Sequence, residues 1–106
     1  MNEWNRSDLT LFLQKGGTGL VYFFTPLCGT CQVAGKMLQV VENLVELEMG
    51  KLDLNYYPDF AERFAIESVP CLLLVREGQV VETIYAFHSV PYLLDKIRID
   101  LMGTDA

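Results

Sequence analysis

The chain reads as one α/β domain over residues 1–106, built on a four-stranded mixed sheet flanked by helices on both faces. Three observations predict this. Short apolar runs alternate with stretches whose apolar residues recur every three or four positions, the two periodicities of strand and helix. The inferred order is α, β, α, β, α, β, β, α, which joins two strands through a helix as a right-handed parallel crossover and then adds an antiparallel hairpin. Length is sufficient as well: a chain of 106 residues buries about 65% of its unfolded surface and needs no staples.

Taken in order, Ser7 caps the first helix, with Asp8 in its first turn and Leu9, Phe12 and Leu13 as its apolar face. Lys15-Gly16-Gly17-Thr18-Gly19 ends it. These glycines lack a Gly-Lys-Ser/Thr ending and precede a strand, so they read as a connector and not as a phosphate cradle. Trp4 packs on the body or frays, and the sequence does not choose. Residues 20–24 form a buried strand, ended by Thr25 and Pro26. Val33, Met37, Val41, Leu44 and Leu47 then mark the stripe of a helix about four turns long. Gly35 inside it costs up to about 1 kcal/mol relative to Ala, which implies a packing or bending reason. Glu42, Glu46 and Glu48 read as a solvated face.

Lys51-Leu52-Asp53-Leu54 is the next strand, and Pro58 opens a short helix that turns Phe60, Ala61 and Phe64 inward. Ser68-Val69-Pro70 leads into an apolar strand over residues 71–75, and Arg76-Glu77-Gly78-Gln79 connects it to an alternating partner strand. Ser89 caps the last helix, with Pro91 in its first turn and Leu93, Leu94, Ile97 and Leu101 facing in; residues 103–106 are expected to fray. Packing helices on both faces brings the Val69-Pro70 loop beside the turn that follows the first strand.

That turn carries the chemistry. In Leu27-Cys28-Gly29-Thr30-Cys31 two thiols stand two residues apart where a strand gives way to a helix, with Cys28 at the helix N-terminus. First-turn amides lack intrahelical acceptors and the helix dipole adds positive potential, so a thiolate is favoured there. Cysteines so placed reach pKa values of about 3.5 to 7.5 against roughly 8.5 when free. Cys28 is therefore the attacking thiolate and Cys31, one turn in, the resolving thiol. Two inert core cysteines and half of a metal site are the competing readings.

A net charge of −6 argues against nucleic acid or an anionic membrane as partner. No apolar run reaches the eighteen or so residues of a membrane span. The N-terminus has no secretory pattern, and three cysteines cannot all pair within one chain, so a reducing cytoplasm is expected.

The order and spacing of the aromatic strand into Cys28-Gly29-Thr30-Cys31, the Lys51-Leu52-Asp53 strand, the Val69-Pro70 turn and the Val75-Arg76-Glu77-Gly78 hairpin resemble the thioredoxin family over nearly the whole chain. Only the additional N-terminal strand of many thioredoxins is missing from this reading. The resemblance implies thiol-disulfide exchange without a cofactor, on disulfide-containing proteins or small thiol substrates, with an external dithiol reductant. It implies a cis Pro70 facing the cysteines, and a substrate surface formed by Leu27, Gly29, Thr30, Val69 and Pro70. It also exposes departures. Leu27 replaces the usual Trp, Thr30 the usual Pro, and Cys71 the usual Thr after the cis-proline. Tyr22 stands where the family keeps a buried carboxylate, while Lys51 matches the lysine that accompanies it. Cys71 is read as a small buried hydrophobe, a third redox thiol or a metal ligand. His88, in the loop before the last helix, flanks the same surface. The alternative function is a binding module in which Cys28, Cys31 and Cys71 hold a metal or iron-sulfur centre.

Overall fold

A computed structural model of the chain describes residues 1–103, and of the fraying expected over residues 103–106 the part from 104 on falls outside them. The elements run β1 (Asn2–Glu3), α1 (Arg6–Gln14), β2 (Gly19–Phe24), α2 (Gly29–Leu44), β3 (Glu48–Asp53), a 3-10 turn (Leu54–Tyr56), α3 (Pro58–Arg63), β4 (Cys71–Arg76), β5 (Gln79–Ile84) and α4 (Val90–Leu101). The sheet has five strands, in the order β1-β3-β2-β4-β5. β2 pairs in parallel with β3 and antiparallel with β4, so it lies at the centre, which is why every residue from Gly19 to Phe23 is buried.

Side chains of β2 and β4 alternate between two cores. Leu20, Tyr22, Leu72 and Leu74 pack under α2 and α4, against Ala34, Leu38, Val41, Leu93 and Ile97. Val21, Phe23, Cys71 and Leu73 pack on the opposite face, under Leu9 and Phe12 of α1 and Phe60 of α3. Helices thus cover both faces of the sheet, as the element order requires.

Four expectations are corrected. A fifth strand exists: β1 adds Asn2 and Glu3 in parallel to Gly50 and Lys51 of β3. The cap of α1 is Asn5 and not Ser7; its side chain accepts from the Asp8 N–H while the Asp8 carboxylate accepts from the Asn5 N–H, a capping box. The buried stripe of α2 is Cys31, Ala34, Leu38 and Val41, so Val33 and Leu44 face solvent and Leu47 lies beyond the helix. A Cβ at Gly35 would touch nothing within 4 Å, so no packing requirement explains that glycine. Trp4, left undecided above, is tied down by a 2.7 Å hydrogen bond from its N–H to the Lys51 carbonyl, with its ring against Phe12 and lying over Gly50.

The hairpin between β4 and β5 turns through Glu77 (φ 51°) and Gly78 (φ 80°), the left-handed pair of a two-residue loop that matches strand twist. At Gly78 a side chain would also meet the Leu13 carbonyl, so glycine is required twice over.

Candidate active site

The antiparallel register pairs Phe23 with Cys71, so the C-terminal end of β2 and the start of β4 lie side by side. The turn after one strand and the loop before the other therefore meet. In that turn Cys28 is the N-cap of α2: its backbone is extended (φ −103°, ψ 110°) and its sulfur accepts the Cys31 N–H at 3.1 Å. A sulfur here takes the place of the usual cap oxygen and occupies one of the orphan first-turn donors. The Thr30 hydroxyl lies 3.3 Å from the same sulfur. Cys28 and Cys31 form a disulfide, with α-carbons 5.1 Å apart. Cys28 is partly exposed, whereas Cys31 is only 4% exposed.

The Val69–Pro70 peptide is cis. Thr30, Val69 and Pro70 line one groove of about 430 Å³ together with Tyr85, Phe87 and His88. Of the expected substrate surface, Leu27 and Gly29 stand outside this groove, and Leu27 is 100% exposed at the tip of the turn. Tyr85 and Phe87 escaped the sequence reading. Tyr85 anchors the groove: its hydroxyl donates to the Ala65 carbonyl at 3.3 Å and accepts the Glu67 N–H at 3.1 Å, fastening the loop before Pro70 to the end of β5. The available signal was a tyrosine ending an alternating strand, since a tyrosine packed on a core generally finds a partner for its hydroxyl. His88 holds a left-handed backbone (φ 56°) closed by a 2.6 Å bond from the Ser89 N–H to the Phe87 carbonyl, and its ring meets Tyr92 edge-on.

Tyr22 is 2% exposed and its hydroxyl donates to the Cys31 carbonyl at 2.7 Å. Burial pushes the phenol up to about 12, so at neutral pH it is a proton-bearing donor that fixes the first turn of α2, not a base. Lys51 pairs in register with Tyr22 and holds its ammonium 5.7 Å from the Phe24 ring centre.

Cys71 is wholly buried, and desolvation pushes its thiol up to about 12, a weaker effect of hydrogen bonding to Tyr85 opposing it. Its side chain belongs to the core under α1 and α3, across the sheet from Tyr22 and α2. Among the described residues no three His, Cys, Asp or Glu side chains converge as a metal site needs. The three-cysteine centre is not favoured by this geometry: β-strand alternation aims Cys71 at the other face of the sheet.

Comparison with known proteins now bears on this site. A family model described as Thioredoxin matches residues 3–98. The chain belongs to the thioredoxin family. It is 52% identical over 80 residues to the thioredoxin-like protein YusE of Bacillus subtilis, covering 74% of this chain and 76% of that one. It is 34% identical to the thioredoxin of Mycobacterium tuberculosis, again over 80 residues, covering 74% and 69%. Among solved structures, a mutant thioredoxin from Halobacterium salinarum superposes with a TM-score of 0.83 at 20% identity, covering 94% of this chain and 88% of that one. Reduced Schistosoma mansoni thioredoxin pre-protein gives 0.78 at 19%, covering 95% of each. These structures carry the fold; membership and the Cys28-Cys31 pair carry the chemistry, and this thioredoxin-family protein is a thiol-disulfide oxidoreductase. The family generally acts on disulfide substrates with a reductant.

Proposed function

We propose that the protein reduces disulfides of proteins or small thiols in a reducing cytoplasm. Cys28 is the attacking thiolate and Cys31 the resolving thiol, and an external thiol reductant returns the pair to the dithiol. One observation carries the assignment: the Cys28 sulfur is the N-cap of α2 and receives the Cys31 N–H at 3.1 Å, so negative charge on that sulfur meets a donor and a helix dipole. Cys31, nearly buried one turn later, is shielded from outside disulfides but adjacent to any mixed disulfide formed on Cys28.

The groove beside Thr30 takes the substrate chain, with Val69, Pro70 and Tyr85 as its wall. Exposed Leu27 offers an aliphatic contact in place of a flat ring. No helix of the described residues is long and apolar enough to cross a membrane, and the charge of −6 disfavours nucleic acid.

The test is asymmetric trapping. With Cys31→Ser a substrate disulfide stays attached to Cys28 as a stable mixed disulfide, and with Cys28→Ser almost nothing accumulates. Equal alkylation of the two single variants at about pH 6, where an ordinary thiol is protonated, would contradict the assignment.

A further inference from the structure

A second cavity, of about 400 Å³, lies on the far side of α2 from the substrate groove, between that helix and the ends of β2 and β3. The two openings share no lining residue: Gln32, Gly35, Lys36 and Gln39 face this one, whereas Thr30, Val33, Ala34 and Met37 face the groove. Its volume is that of a small-molecule site, for which about 300 to 1,000 Å³ is usual. Cys31 contributes to the wall but is only 4% exposed, so the cavity is not a route to its sulfur.

The charge of this cavity is opposite to that of the molecule, whose net charge is −6. No acidic residue among those described lines it. Lys15 and Lys96 are ion-paired with Glu48 and Glu82. The other two lysines, Lys36 from α2 and the half-buried Lys51 from β3, both line the cavity, and neither has a carboxylate partner among the described residues. Glu42, one helical turn beyond Gln39, is bound by the Met1 amino group at 2.7 Å. An apolar side adjoins these charges. Tyr22 and Phe24 stack with ring centres 5.9 Å apart, and the Lys51 ammonium stands 5.7 Å from the Phe24 ring centre. The Tyr22 hydroxyl is committed to the Cys31 carbonyl, so this residue presents its ring to the cavity and no free donor. None of the chain's arginines lines the wall, so the planar fork that suits phosphate is missing, and an inorganic anion would leave the ring surface unused.

We infer that this cavity binds a small aromatic carboxylate, whose carboxylate is held by Lys36 and Lys51 and whose ring lies against Phe24. Apolar walls with a few placed charged groups are what such a ligand requires: the ring supplies buried area, and the ammonium groups fix its orientation through charge-assisted hydrogen bonds. The inference goes beyond the exchange reading and does not depend on it. The occupant forms no bond with Cys28 or Cys31, and it leaves the Thr30–Pro70 groove free.

Benzoate, benzamide and benzamidine offer one ring with a negative, a neutral and a positive group. Each is titrated into isotope-labelled oxidised protein at constant ionic strength, and backbone amide shifts are followed by NMR. A protein of charge −6 should by its overall field favour benzamidine. The expected order is the reverse, with benzoate bound about tenfold more tightly than benzamide and benzamidine weakest. Shifts are expected at Gly35, Gln39 and Lys51 and not at Val69 or Tyr85. The preference for benzoate over benzamide falls to within about twofold in Lys36→Gln/Lys51→Gln, and in the wild type at about 1 M salt. Gly35→Leu keeps both charges: a Cβ there meets nothing within 4 Å, so the fold accepts it, while the side chain occupies the opening and abolishes binding. Because a ligand of the folded state stabilises it, benzoate should also raise the urea midpoint of the wild type and leave that of Gly35→Leu unchanged. Absence of saturable benzoate binding, equal affinity for the three probes, shifts centred on the groove, or binding indifferent to both variants would overturn the inference.

Discussion

Tyr22 and Cys71 are buried acids held in their protonated forms, and both make the fold sensitive to alkali. Cys71 rises from an ordinary value of 9.0, and Tyr22 from 10.0, each to about 12 by desolvation. Between those values the unfolded chain has released protons that the folded chain still holds, so stability is intact below about pH 9 and declines as pH rises towards about 12. Urea midpoints measured from pH 8 upwards are expected to fall, and to fall less steeply in Tyr22→Phe and in Cys71→Val, each of which removes one titrating group. At neutral pH the same burial makes Cys71 inert: in reduced protein, iodoacetamide should label Cys28 first and reach Cys71 only after denaturation. Equal labelling of all three thiols in the native protein would contradict its place in the core. Tyr22→Phe also removes the bond to the Cys31 carbonyl, at a cost of about 0.5–1.5 kcal/mol. The resemblance read from the sequence set Tyr22 at the position of the family's carboxylate, and the structure buries it there. Its hydrogen-bond partner could not be read, because that depends on how α2 settles on the sheet.

At the level of elements, α2 shows how a pattern can be right in kind and shifted in phase. The three- and four-residue spacing correctly predicts a helix after Cys31, but apolar residues lie on more than one side of it, and the period alone fits Val33-Met37 as well as Ala34-Leu38. The sheet selects the second set, since the small Ala34 and the fully buried Leu38 fit under Leu20 and Tyr22. β1 was invisible for another reason: it is two exposed polar residues long, held by backbone pairing and the Trp4 anchor, neither of which leaves an alternation to read. Two glycines give opposite predictions. Gly35→Ala meets nothing and should stabilise the protein by about 0.5–1 kcal/mol in a denaturant titration. Gly50→Ala puts a methyl group into the Trp4 ring and should cost about 1–3 kcal/mol, with a change in tryptophan fluorescence as the ring is displaced.

Across the whole molecule, the position of the site was the most legible feature. A parallel crossover followed by a hairpin makes β2 and β4 antiparallel neighbours, so the Cys28 turn and the Pro70 loop have to meet at one end of the central strands. What could not be read was the cavity of about 400 Å³ on the other side of the first turn of α2, because its lining residues Tyr22, Lys36, Gln39 and Lys51 come from three elements. The first turn of α2 thus has an opening on either side: the Thr30–Pro70 groove on one, the lysine-lined cavity on the other. The partly exposed Cys28 sulfur is then the point that disulfide donor and reductant both reach, since Cys31 is only 4% exposed. Steady-state turnover is expected to follow a one-site ping-pong course, with double-reciprocal lines parallel at low concentration and each reactant inhibiting competitively against the other when raised high. Were the two reactants to meet the protein at separate places, the rate would instead reach a plateau without inhibition.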